Sequence, residues 1–233
     1  MNREYADLVQ NSSLFQAVKP DLLQAVLARG VKRSLEEGGY FFQQGDEASH
    51  AYVLVSGLVK MLQLTANGQQ ITLRMMTPGQ TFGGIAMLNP PDGYPAAALA
   101  MEDSVALAWD TATLREFSRQ DPSIALNTMQ LMHGYINELQ QRQGALVSER
   151  VEQRIARSLL KLAAQTGEKI EAGILIAIPL TRQDIAEMSG TTLFTVSRTL
   201  AEWERAGLLE IGRERVVIRD PHGLVRIADD LVK

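Results

Sequence analysis

The sequence predicts an α+β chain in three parts: an N-terminal antiparallel β-roll of jelly-roll type, a long helix, and a C-terminal winged helix-turn-helix. Three observations predict it. From Val31 to Asp110, short β-prone runs are punctuated by glycine at Gly38-Gly39, Gly45, Gly57, Gly68, Gly79 and Gly83-Gly84, the pattern of a rolled or closed sheet. Beyond Asp121-Pro122, the residues Ala125, Met129, Met132, Ile136, Leu139, Gln143 and Leu146 recur at alternating spacings of four and three, a heptad seam. Residues 180 to 206 then spell two short helices around Gly190, with two short strands after them. The corresponding divisions are residues 1–120, 121–148 and 149–233.

Each element has its own local reason. Leu14-Phe15 and Pro20-Asp21-Leu22-Leu23 open helical segments that stop at Gly30. Leu58 to Leu64, Asn67-Gly68 and Ile71 to Met75 form the clearest hairpin, because Asn-Gly suits a two-residue turn with positive φ at both positions. Asp121 is a good N-cap and Pro122 a good first helical residue, while Gly134 and Gly144 interrupt the long helix, each costing about 1 kcal/mol relative to alanine. The seam suits pairing with a second chain, since Asn137, Glu138, Gln140, Gln141 and Arg142 flank it with polar groups; a helix lying on its own domain's core is the alternative. Val147 to Glu149 reads as a hinge. Ser148 is placed to cap a helix carrying Val151, Ile155, Leu159 and Leu162 and ending at Gly167.

In the C-terminal part, Thr181 caps a helix with Ile185 and Met188 inward, and Gly190 makes the turn. Thr191 is placed to cap the second helix, with Leu193, Val196, Leu200 and Trp203 as its buried stripe. Its other face presents Phe194, Thr195, Arg198, Glu202 and Arg205, the mixture of apolar, polar and cationic groups a major-groove helix needs. Leu208 to Ile211 and Val216 to Arg219 flank a turn at Gly212-Arg213-Glu214 and make a wing. Asp220-Pro221 starts a last helix containing Leu224 and Ile227.

Composition narrows the function. The chain has 233 residues, a net charge of -4 and no cysteine, which excludes disulfides, thiolate zinc sites and cysteine-ligated iron–sulfur clusters. The opening residues lack an apolar signal-peptide core and no run of 18 apolar residues occurs, so a cytoplasmic protein with no membrane partner is expected. From Arg182 to Arg219 six arginines face six acids, so DNA contact would depend on where the arginines sit rather than on a general positive field. His50, His133 and His222 are scattered, no clustered metal ligands are expected, and neither a nucleophile–base pair nor a phosphate-cradling loop occurs. An enzyme on a cupin-type barrel is therefore not expected.

The whole chain resembles the Crp/Fnr family of bacterial transcription regulators. The resemblance rests on Gln44-Gly45-Asp46-Glu47, the run Tyr52 to Lys60, Pro78-Gly79-Gln80-Thr81-Phe82-Gly83, Arg154 to Leu160, and Thr181-Arg182-Gln183-Asp184-Ile185-Ala186. It implies a homodimer joined through Met129, Met132, Ile136, Leu139, Gln143 and Leu146, bound to double-stranded DNA at a palindromic operator and contacting RNA polymerase. It also implies an effector pocket at Gly83, Gly84, Ile85, Tyr94, Leu139 and Gln140. A cyclic-nucleotide-binding-like regulatory module without DNA binding is the alternative; such modules share the roll but carry no helix-turn-helix or wing.

The departures from the family pattern bear on the effector. Where cyclic-AMP-binding members carry a glutamate for the ribose, this chain has Gly84; where they carry arginine and serine for the phosphate, it has Tyr94 and Pro95. Leu139 and Gln140 replace a hydroxyl pair near the adenine. No cationic side chain lies between Arg74 and Arg115, so a buried phosphate would lose a charge-assisted contact worth roughly 1.5–3 kcal/mol. Cyclic AMP is thus not expected, an apolar small molecule or no effector at all is, and for haem only His133 is worth testing. On the DNA side, the family's glutamate position holds Phe194, while Ser197 and Arg198 are kept. Arg198 is expected on guanine or phosphate and Phe194 on thymine methyls, unless Phe194 tucks into the core. Arg182, Thr191, Thr192, Thr195 and Arg213, with Arg215 beside it on the wing, are expected near phosphates.

Overall fold

The computed structural model describes residues 3–230. The chain forms two compact units that divide between Leu139 and Gln140. In the first, α1 (Arg3–Gln10) and α2 (Pro20–Arg29) precede β1 (Val31–Leu35), β2 (Tyr40–Phe42), β3 (His50–Ser56), β4 (Val59–Leu64), β5 (Gln70–Met76) and β6 (Thr81–Phe82). A 3-10 turn at Gly84–Leu88, β7 (Ala97–Ala100), β8 (Ser104–Asp110), α3 (Thr111–Gln120) and α4 (Ser123–Ser148) follow.

Two four-stranded antiparallel sheets, ordered β1-β8-β3-β6 and β2-β7-β4-β5, make the roll. Strand β3 shows why both its faces are apolar. Ala51, Val53 and Val55 belong to the core formed with Val9, Phe15, Leu114 and Ile124 from the helical segments. Tyr52 and Leu54 point the other way, into the interior with Phe42, Val59, Met76 and Phe82. Alternation with period two assigns one residue set to each layer. Trp109 is 1% exposed and its indole N–H donates to Val26 O at 2.7 Å, tying β8 to α2.

Several local expectations need correction. The β4–β5 hairpin does not close on a two-residue Asn67-Gly68 turn: Thr65 N–H donates to Gln69 O and Gly68 N–H to Thr65 O, a three-residue loop in which Gly68 alone is left-handed. Residues 111–120 are helical, with Asp110 accepting Thr113 N–H at 2.8 Å as cap; the helix is too short for its periodicity to stand out between a strand and Asp121-Pro122. Gly134 and Gly144 do not break α4, which is continuous over 26 residues. Asp121 still bonds the first turn, accepting Ser123 N–H at 3.0 Å.

The second unit contains α5 (Val151–Thr166), β9 (Gly167–Ile170), β10 (Gly173–Ile176), α6 (Arg182–Ser189), α7 (Leu193–Arg205), β11 (Leu209–Gly212), β12 (Arg215–Ile218) and α8 (Pro221–Ala228). Ser148 does not cap α5. It ends α4, its hydroxyl donating to Gly144 O at 2.9 Å, and Arg150 is the N-cap residue. The wing strands are joined by β9 and β10 in a sheet ordered β11-β12-β10-β9. That extra hairpin is absent from the sequence reading, because Gly167 looks like a helix stop and only Ile174-Leu175-Ile176 signals a strand. The last residues of α4 belong to this unit: Arg142 Nη2 donates to Glu187 O at 2.6 Å. The division therefore falls within α4, not at the Val147–Glu149 joint where the sequence suggests a hinge.

Candidate nucleic-acid interface and sensor cavity

The helix-turn-helix is built from its caps. Thr181 Oγ1 accepts Asp184 N–H at 3.1 Å while Asp184 Oδ2 accepts Thr181 N–H at 3.0 Å, a reciprocal box that satisfies two orphan donors of α6. Gly190 has φ 63°, a left-handed conformation that favours glycine. Arg154 of α5 fixes the turn from below, donating from Nε to Ser189 O at 2.9 Å and from Nη1 to Glu149 O at 2.7 Å.

Thr192, rather than Thr191, caps α7, accepting Thr195 N–H at 3.2 Å, with the two hydroxyls 2.9 Å apart. The expected stripe holds at Val196, Leu200 and Trp203 and fails only at Leu193, in the first turn. Val196, Thr199, Leu200 and Trp203 face inward, while Leu193, placed inside from the sequence, is 48% exposed. Phe194 is 76% exposed, so it does not tuck into the core. Ser197 is half-buried, and Arg198 is exposed with Nε 3.9 Å from Glu202 Oε1, a solvated pair of little energetic weight.

A groove between the starts of α6 and α7 and the wing is lined by Thr181, Arg182, Leu193, Ile211, Arg213 and Glu214, among others. Arg182 and Arg213 are exposed on it and have no ion pair among the described residues. Arg215 and Arg219, by contrast, both hold Glu210, at 2.7 and 2.5 Å, and the hydrogen bonds they donate keep its carboxyl below the usual range. The face around the N-terminus of α7 thus offers cations, hydroxyls and an apolar pair together.

In the roll, a cavity of about 110 Å³ is lined by Phe42, Met61, Leu73, Arg74, Met76, Thr81, Phe82, Gly83, Gly84, Ile85, Tyr94, Pro95, Ala96, Leu131, Met132 and Tyr135. Four of the residues expected at an effector pocket, Gly83, Gly84, Ile85 and Tyr94, line it; Leu139 and Gln140 do not. Gly83 has φ 69°, and a Cβ would stand 3.0 Å from His50 O, which fixes the close approach of this loop to β3. Tyr94 stacks on Phe42 with centroids 3.7 Å apart, and its hydroxyl donates to His50 O at 2.6 Å while accepting His50 N–H at 2.9 Å. Burial pushes its phenol well above the ordinary value, so it is a neutral wall of the cavity.

Arg74, which the sequence marks only as the edge of a stretch without cations, and Thr81 also line the cavity. Arg74 Nε and Nη2 both meet Glu138 Oε2 of α4. Met132, expected in the α4 seam, also lines this cavity and is half-buried. Leu126, Met129, Ile136, Leu139 and Leu146 remain 40–63% exposed along α4, and Gln143 is exposed with them.

The comparisons with known proteins agree with this architecture. A cyclic nucleotide-binding domain model matches residues 32–121 and a Crp-like helix-turn-helix domain model matches residues 153–227. The cyclic AMP receptor protein of Thermus thermophilus is 28% identical over 94% of this chain and 98% of that protein. The transcriptional activator protein FnrA of Stutzerimonas stutzeri is 28% identical over 89% of this chain and 84% of its own length. The structure of FixK2 from Bradyrhizobium japonicum shares the fold, with a TM-score of 0.75 at 23% identity, covering 85% of this chain and 96% of that one. With the two domains in this order in one chain, the protein belongs to the Crp/Fnr family of DNA-binding transcription regulators.

Proposed function

We propose that the chain acts in the cytoplasm as a homodimer on an inverted-repeat operator, each protomer placing α7 in the major groove, and that the roll senses a small molecule other than cyclic AMP. RNA polymerase is the further partner in this reading, and no catalytic step is assigned to the chain. The observation that carries it is the exposed N-terminal face of α7, where Phe194, Thr195 and Arg198 stand clear of the buried Val196, Leu200 and Trp203. Arg198 is suited to guanine O6/N7, Phe194 to thymine methyls, and Arg182, Arg213 and the Thr191–Thr192 turn to phosphates.

The exposed apolar stripe of α4 supports the homodimer, because contiguous surface of this kind usually marks an interface. Gly84, Tyr94 and Pro95 in place of the ribose and phosphate partners argue against a cyclic nucleotide. Haem is given no role here, since His133 lies exposed on α4 beside Asn137, 2.9 Å away, and does not line the cavity. Substituting Ile136→Asp tests the dimer: sizing chromatography should show a monomer, and gel-shift affinity for the operator should collapse. A variant that still elutes as a dimer refutes the seam.

A further inference from the structure

What α7 offers to a base edge is set by its first two turns, and residues 193–199 include no Asp, Glu, Asn or Gln. Leu193 and Phe194 stand side by side there, both exposed, while the inner face is filled by Val196, Thr199, Leu200 and Trp203 without them. The hydroxyls of these turns are turned to other work. Thr192 and Thr195 lie 2.9 Å apart at the cap, Ser197 is half-buried and Thr199 is buried. Arg198 follows Phe194 by four residues, on the same face and about 6 Å further along the axis. Leu193 borders the groove that also carries Arg182 and Arg213. Cations suited to phosphate and guanine thus flank the apolar pair. In a chain of a DNA-binding family, that commits the pair to a base edge rather than to a protein partner.

We propose that Phe194, with Leu193 beside it, makes α7 a reader of the pyrimidine C5-methyl group, so that cytosine C5 methylation in a half-site raises operator affinity. The inference rests on the reading of α7 as the major-groove helix; it names the group read there and the DNA modification that tunes it. In the major groove thymine presents its methyl and the O4 acceptor, whereas cytosine presents its N4 amino donor. An apolar side chain packed on cytosine strips water from that donor and supplies no acceptor in return. Methylation at C5 changes the balance, because 5-methylcytosine carries a methyl at the same ring position as thymine. At the position facing Phe194, thymine should therefore bind best, 5-methylcytosine next and cytosine worst. Uracil keeps O4 and loses only the methyl, which isolates the methyl's share. Burying one methyl is worth about a fourfold change in affinity, and about fifteen-fold when both half-sites are changed.

An operator selected from random duplexes is the probe, titrated by anisotropy with the full-length protein and with Phe194→Ala. Each thymine of the half-site is replaced in turn by uracil, and then by cytosine and by 5-methylcytosine at the same position. Uracil should weaken wild-type binding about fourfold per half-site at one or two neighbouring positions. There, 5-methylcytosine should bind about fourfold more tightly than cytosine. Phe194→Ala should bind thymine and uracil alike, with an unchanged thermal melt because the ring is exposed. Phe194→Glu should prefer cytosine, since a carboxylate accepts from N4. A flat uracil scan, equal binding of cytosine and 5-methylcytosine, or full methyl discrimination in Phe194→Ala each overturns the proposal. Specific operator binding that persists with a flat scan leaves the DNA-binding function standing. Failure to select any operator sinks that function and the methyl reader with it.

Discussion

Arg198 and Asp121 show how one residue's surroundings decide what it contributes. Arg198 is exposed and only loosely paired with Glu202, so its guanidinium is available to a base edge or phosphate. Arg198→Ala should weaken specific operator binding by roughly 1–3 kcal/mol in an anisotropy titration, and an unchanged affinity would remove it from the interface. Asp121 is the opposite case. It is 3% exposed and accepts the backbone N–H groups of Lys19 and Ser123, each at 3.0 Å, which hold its carboxyl below the usual range. A folded-state pKa below the unfolded value of about 3.9 stabilises the fold fully above that value, and the contribution drains away as pH falls through the folded pKa. Asp121→Asn should therefore lower stability by about 1–3 kcal/mol at neutral pH. The gap from wild type in urea unfolding should narrow below roughly pH 4.

At the scale of elements, the caps decided how much was legible. The reciprocal bonds of Thr181 and Asp184 and the left-handed Gly190 could be read directly, because each depends on residue type at a fixed offset. The start of α7 could not. Thr191 and Thr192 are chemically equivalent candidates, and only the bond from Thr195 N–H identifies Thr192. Leu193, in the first turn beside that cap, faces outward although its spacing to Val196 and Leu200 suits the buried stripe. Thr192→Ala should cost about 0.5–2 kcal/mol of stability, in the range of a lost cap, and Thr191→Ala distinctly less; thermal melts of the pair check this, and equal losses would contradict the assignment. The β9–β10 hairpin and α3 escaped for a different reason. Both are short, and their periodicity is interrupted by neighbours before it can register. The cavity's polar groups were hidden as well, since nothing in the local sequence around Arg74 or Thr81 says that the roll turns both inward.

For the molecule as a whole, the order of a cyclic nucleotide-binding domain, a long helix and a Crp-like helix-turn-helix joins sensing to DNA binding in one chain. The near-neutral charge of the DNA-binding segment means that affinity depends on a few placed groups. Arg182 and Arg213 have no ion pair among the described residues, whereas Arg215 and Arg219 are held by Glu210. The exposed stripe on α4 supplies the proposed symmetry that would double those contacts. The central claim is that two copies of the α7 face read two copies of one DNA sequence. Selection of binding sites from a pool of random duplexes tests it most directly. Paired α7 faces should enrich an inverted repeat whose half-sites lie one helical turn apart, about 10 base pairs centre to centre. A single unrepeated motif, or no enrichment above the starting pool, would contradict it.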